Sequence, residues 1–127
     1  MAGADFFDIT INGYGAHGAN PQNSKDPVII AMTVAQALQT IVSRNVDPLK
    51  AAVLSITQIH AGSAYNVIPG EAHLCGTIRT FSDEVRALIS QRIRTICAGI
   101  AAAYQCEIDV DIRDTFGRTG NPQLRSL

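Results

Sequence analysis

Two stretches of helical periodicity, each set between stretches that alternate as strands, constrain this chain more than any other feature. Phe7, Ile9 and Ile11 alternate with Asp8, Thr10 and Asn12, which predicts a half-buried strand. Asp26 caps a helix whose first position is Pro27, where a missing N–H costs nothing. Ile30, Val34, Ala37, Leu38 and Ile41 form its inner stripe, and residues 45–48 stop it. A strand rich in β-branched residues follows over 51–60, and another over 72–80. In the latter, Leu74 and Ile78 face one way, and His73, Cys75, Thr77 and Arg79 the other. Ser82 caps a second helix, with Asp83 and Glu84 well placed in its first turn. Val85, Leu88, Ile89, Ile93, Ile96 and Ile100 mark its apolar face, and Arg86, Arg92 and Arg94 are expected toward solvent. Gly99 reads as a point of close packing. Ile108, Val110 and Ile112 alternate with Glu107, Asp109, Asp111 and Arg113 in a last strand.

The order is β-α-β-β-α-β. Its economical solution is an α+β, ferredoxin-like fold: a four-stranded antiparallel sheet with two helices on one face. The other face, and the edge strands, stay free to bind something. The 127 residues predict one domain, over 5–116, and the turn-rich 117–127 reads as a tail leading out of it or foreign to it. Apolar residues at 46% against 17% charged argue for a packed core. A net charge of −1 gives no field to hold nucleic acid or an anionic membrane. No apolar run of spanning length and no leader pattern is read, so neither a membrane nor nucleic acid is an expected partner. Cys75, Cys97 and Cys106 are odd in number and widely spaced, and read as reduced thiols in a cytoplasmic compartment.

By itself the chain offers no complete catalytic constellation. His17, His60 and His73 form no metal-ligand spacing with one another or with the cysteines. The acids of the last strand read as a solvated face. Two loops stand out. Around His17 the stretch Gly13-Tyr-Gly-Ala-His-Gly lets backbone approach a ligand closely, or is simply a flexible loop. A second loop runs through Asn66, longer than a plain hairpin needs. His60 at its start reads as a capping or packing histidine. Arg79 in mid-strand is either surface charge or a fork for a carboxylate, since guanidinium matches carboxylate with two parallel bonds.

Taken together, Gly15-Ala-His17-Gly-Ala-Asn-Pro21 with Asp26-Pro27, then Ile59-His-Ala-Gly-Ser-Ala-Tyr-Asn-Val-Ile-Pro69, then Gly76-Thr-Ile-Arg79-Thr-Phe81, resemble the lid domain of two-zinc amidohydrolases. That family includes aminoacylases, hippurate hydrolases and carboxypeptidases. The Asn-Val-Ile-Pro motif with Arg79 thirteen residues after Asn66 is its most specific mark here. Residues 40–48 resemble the hippurate hydrolase and auxin-conjugate hydrolase branch. Gln22 departs from a histidine that many relatives carry at that place.

The resemblance implies that a separate catalytic domain holds both zinc ions and the general base, so this chain alone carries no cofactor and is inactive. It implies a homodimer formed through the lid. It implies that His17 reaches the partner subunit's site and stabilises the oxyanion of amide cleavage. Asn66 would hydrogen-bond a small N-acyl amino acid substrate, and Arg79 would hold its free carboxylate. The rival expectation is a free-standing ferredoxin-like module that binds a small ligand or pairs through sheet edges. RNA binding on the open face is disfavoured, because the central strands lack the aromatics it needs.

Overall fold

The computed structural model describes residues 3–13, 16–17, 26–45 and 49–114. The elements are β1 (Gly3–Asn12), β2 (Ala16–His17), α1 (Pro27–Thr40), β3 (Ala52–Ala61), β4 (Val67–Ile68), β5 (Glu71–Thr80), α2 (Asp83–Tyr104) and β6 (Glu107–Asp114). Strands β3, β5, β1 and β6 lie in that order in one antiparallel sheet, and β2 and β4 form a separate short ladder. Helix α1 packs over β3 and β5, α2 over β5 and β6, and the helices touch each other. This is the expected ferredoxin-like arrangement.

Strand parity decides what enters the core. Phe7, Ile9 and Ile11 from β1 and Ala72, Leu74 and Ile78 from β5 are fully buried beneath the helices. Ile30, Val34 and Leu38 of α1 and Ile89 and Ile93 of α2 meet them at 0–2% exposure. The Asp26 carboxylate accepts from the Val28 N–H at 3.0 Å, and the Ser82 hydroxyl accepts from the Val85 N–H at 3.2 Å. Both predicted caps therefore start their helices. Helix α1 ends in a π-helical turn, Ile41–Asn45, that keeps Ile41 buried. Most of the expected helix stop at 45–48, of the loop at 13–25 with Gln22, and the tail at 117–127 lie outside the described residues.

Four expectations need correction. Arg86 does not face solvent: it is 5% exposed and pairs with Asp5, itself 8% exposed. Asp5 shares the inward parity of Phe7, and the arginine under α2 neutralises it. Gly99 is not a close contact, because a Cβ there would meet nothing within 4 Å. His60 neither caps nor packs. It is exposed and bonds Gln58 Oε1 at 2.9 Å. Finally, Pro27–Arg44 does reach spanning length, 18 residues at a mean hydropathy of 1.2. Its inner stripe lies in the core.

The close approach occurs at Gly76 instead. It sits opposite Phe7 in β1 and Ile56 in β3. A Cβ there would lie 2.0 Å from the Ser55 carbonyl oxygen and 2.4 Å from Phe7 Cζ. The Phe7 ring thus takes the volume that a side chain at 76 would need, and the strand partner is too near to give. Gly76→Ala is expected to cost at least about 1–3 kcal/mol, the usual range for overpacking. A urea titration with an unchanged midpoint would contradict it.

Candidate functional site

The loops bearing His17 and Asn66 converge through their backbones. In the β2–β4 ladder His17 stands opposite Val67, and Ala16 opposite Ile68. The Gly13 N–H donates to the Gly70 carbonyl at 2.8 Å, tying the two loops at their bases. Directly opposed residues of an antiparallel ladder lie roughly 4.5–5.5 Å apart at Cα. His17 therefore stands one residue from Asn66 across the ladder. Asn66 is exposed, as is Tyr65 beside it.

Arg79 is not part of this cluster. It lies near the far end of β5, eight residues beyond Glu71. At about 3.3 Å per residue that is roughly 26 Å from the end where the two loops meet. Thus two of the three expected site residues share one end of the sheet, and the third holds the other.

On the open face, cross-strand rows place the remaining charges. Asp8 stands between Cys75 on β5 and Asp111 on β6. Arg113 is held by Asp8 at 2.5 Å and by Asp111 at 2.6 Å. The Cys75 thiol donates to Asp8 Oδ1 at 3.1 Å. Burial works against the Asp8 carboxylate, but the bonds from Cys75 and then Arg113 outweigh it and lower its pKa. Burial, followed by that bond to Asp8, pushes the Cys75 thiol up. Cys97 is buried under α2 and pushed up to about 11, chiefly by burial. Neither thiol is therefore an activated nucleophile.

Arg79 differs from Arg113. Among the described residues, nothing forms a hydrogen bond or ion pair with its guanidinium, and it is exposed. Its cross-strand neighbours are Val53 and Ala4. Of the two arginines on this face among the described residues, Arg79 is the one without a carboxylate partner.

His60 and His73 stand opposite each other on β3 and β5. Nδ1 of His73 meets Thr10 Oγ1 at 3.2 Å and its Nε2 meets Glu71 Oε1 at 3.3 Å. Among the described residues, no group of three or more His, Cys, Asp or Glu side chains is placed to hold a metal ion.

The sequence reading left both sheet edges open without choosing between them, and exposed apolar residues gather at one. Strand β3 is a sheet edge. Ile59 on it is 51% exposed, and Ile29 and Met32 on neighbouring α1 are 50% and 52% exposed. The signal was present: α1 carries apolar residues on both its inner and outer sides, which a helix covered on one side only does not need.

A family model described as peptidase dimerisation domain matches residues 2–105. N-acetylcysteine deacetylase of Bacillus subtilis is 43% identical over 109 residues, 86% of this chain and 29% of that protein. Hippurate hydrolase of Campylobacter jejuni is 43% identical over 111 residues, 87% of this chain and 29% of that protein. Among solved structures, a putative aminohydrolase of methicillin-resistant Staphylococcus aureus superposes with a TM-score of 0.86 at 27% identity, covering 89% of this chain and 29% of that one. A dinuclear metal-binding peptidase of Bacillus subtilis does so with a TM-score of 0.67 at 33% identity, covering 90% and 26%. The chain thus spans less than a third of the relatives that it matches.

Proposed function

This chain belongs to the peptidase dimerisation domain family, and from that premise we propose that it is the lid of a zinc-dependent amidohydrolase cleaving N-acyl amino acids. Its relatives support the reaction class, since N-acetylcysteine deacetylase and hippurate hydrolase both remove an acyl group from an amino acid. The two metal ions, zinc in this reading, belong to a catalytic domain outside the chain. We propose a cytoplasmic location, with Cys75, Cys97 and Cys106 of this domain as free thiols. A free-standing binding module is not favoured, because the relatives carry this domain within much longer chains.

The observation that carries the reading is that Arg79 on the open face has no partner among the described residues, whereas Arg113, two strands away on the same face, is already neutralised. A planar guanidinium in that state is fitted to a free carboxylate. In the whole enzyme, Arg79→Ala is expected to raise KM for N-acyl amino acids about tenfold or more, the worth of a charge-assisted hydrogen bond. The corresponding methyl esters should hardly change. An equal effect on acid and ester would remove the assignment.

The roughly 26 Å between Arg79 and the His17–Asn66 end calls for two chains. We propose that dimers form through the β3 edge, flanked by α1. Its open backbone groups invite a second strand. Ile29, Met32 and Ile59 supply the apolar flank. A two-fold axis makes such pairing antiparallel, so the Arg79 end of one sheet meets the His17–Asn66 end of the other. Ile29→Glu with Met32→Glu is expected to shift sedimentation toward monomer at micromolar concentration. A dimer of unchanged stability would place the interface elsewhere.

A further inference from the structure

The surroundings of Arg79 bear on which amino acid it holds. Its row on the open face reads Val53, Arg79, Ala4 across β3, β5 and β1. The next row places Phe6 opposite Thr77. Diagonal neighbours in an antiparallel sheet lie about 7–8 Å apart at Cα, within reach of an aromatic side chain. Val53 is 54% exposed and Phe6 43% exposed, and the acids of this face begin with Asp8, two rows from Arg79. Exposed valine and phenylalanine flank Arg79, which has no partner among the described residues, while Arg113, opposite Phe6 on β6, is already neutralised by Asp8 and Asp111.

Resting on the reading of Arg79 as the carboxylate holder, we infer that Val53 and Phe6 select the side chain of the substrate's amino acid, and select for an apolar one. The physical reason is the short distance between the two groups that are recognised. An α-carboxylate on Arg79 leaves its own side chain one carbon away, so that side chain lands on the neighbouring surface. An apolar side chain is dehydrated there at no polar cost. A carboxylate or ammonium loses hydration without gaining a partner. A site of this kind discriminates by about 10–200-fold per methylene-sized difference.

The test uses the whole enzyme and three substrates: N-acetyl-L-leucine, N-acetyl-L-aspartate and N-acetylglycine. The readout is kcat/KM for the first two relative to N-acetylglycine, which has no side chain and reports carboxylate binding and chemistry alone. The unaltered enzyme is expected to favour leucine over aspartate at least tenfold. In Val53→Asp the leucine-to-glycine ratio should fall about tenfold. Phe6→Thr, which keeps a strand-forming residue, should lower it in the same direction. A general loss of folding or of dimers lowers all three substrates together and leaves the ratios unmoved. Ratios that stay constant in both variants would overturn the inference. The carboxylate role fails separately, by Arg79→Ala acting equally on acids and esters. The two failures are therefore distinguishable.

Discussion

Arg86→Ala is expected to destabilise the protein by about 3–5 kcal/mol, the cost of breaking a buried ion pair from one side. Arg86 and Asp5 are 5% and 8% exposed and bonded to each other beneath α2. Removing the arginine leaves the Asp5 carboxylate in a site that cannot solvate it. The contact of Arg86 with Asp83, at 3.4 Å, is to a largely exposed carboxylate and adds little. In a domain of this size the melting temperature should fall by roughly 10 °C or more. The double variant Asp5→Val with Arg86→Met should recover much of the loss, since well-packed apolar replacements of buried pairs are often neutral or better. A single variant that melts with the parent would show the pair to be solvated. A double variant worse than either single would show that neither charge depends on the other.

His17→Ala, made in the whole enzyme, should lower kcat about 10²–10³-fold, the typical loss on removing one oxyanion donor. Metal content should be unchanged, because no metal-holding cluster occurs among the described residues of this domain. KM should move little, since the interaction exists only once charge develops on the carbonyl oxygen. The proposed two-chain site adds a sharper test. Chains carrying His17→Ala and chains carrying Arg79→Ala are each defective at both sites of their own dimers. Mixed and reassociated, they should regain about a quarter of the parent turnover, from half the dimers with one intact site each. Mixtures no more active than either variant would place His17 and Arg79 in one chain's site. A kcat unaffected by His17→Ala would remove the oxyanion role outright.

Alternation and capping made most of the fold legible. Period-two segments at β1, β5 and β6 and the caps at Asp26 and Ser82 are local properties, set by backbone geometry and short-range hydrogen bonds. The buried Arg86 was not read, although a signal existed. Extending the β1 parity back from Phe7 puts Asp5 on the core side, where a carboxylate requires a partner. Position 86 lies one residue from Val85, at the margin of the helix stripe, where sequence alone gives no orientation. Gly76 was likewise silent, because the ring that fills its space belongs to Phe7, 69 residues earlier.

The sequence by itself determined the order of elements and the core face of β1, β5 and β6, and it offered His17, Asn66 and Arg79 as candidate site residues. Those depend on neighbours within a few residues. Tertiary structure alone decided how the three are apportioned. Folding ties the loop of His17 to the loop of Asn66 through the β2–β4 ladder. The extended geometry of β5 carries Arg79 to the opposite end of the sheet. Thirteen residues that look like one motif on paper become a distance of strand length, because a β-strand advances by about 3.3 Å per residue and cannot fold back on itself.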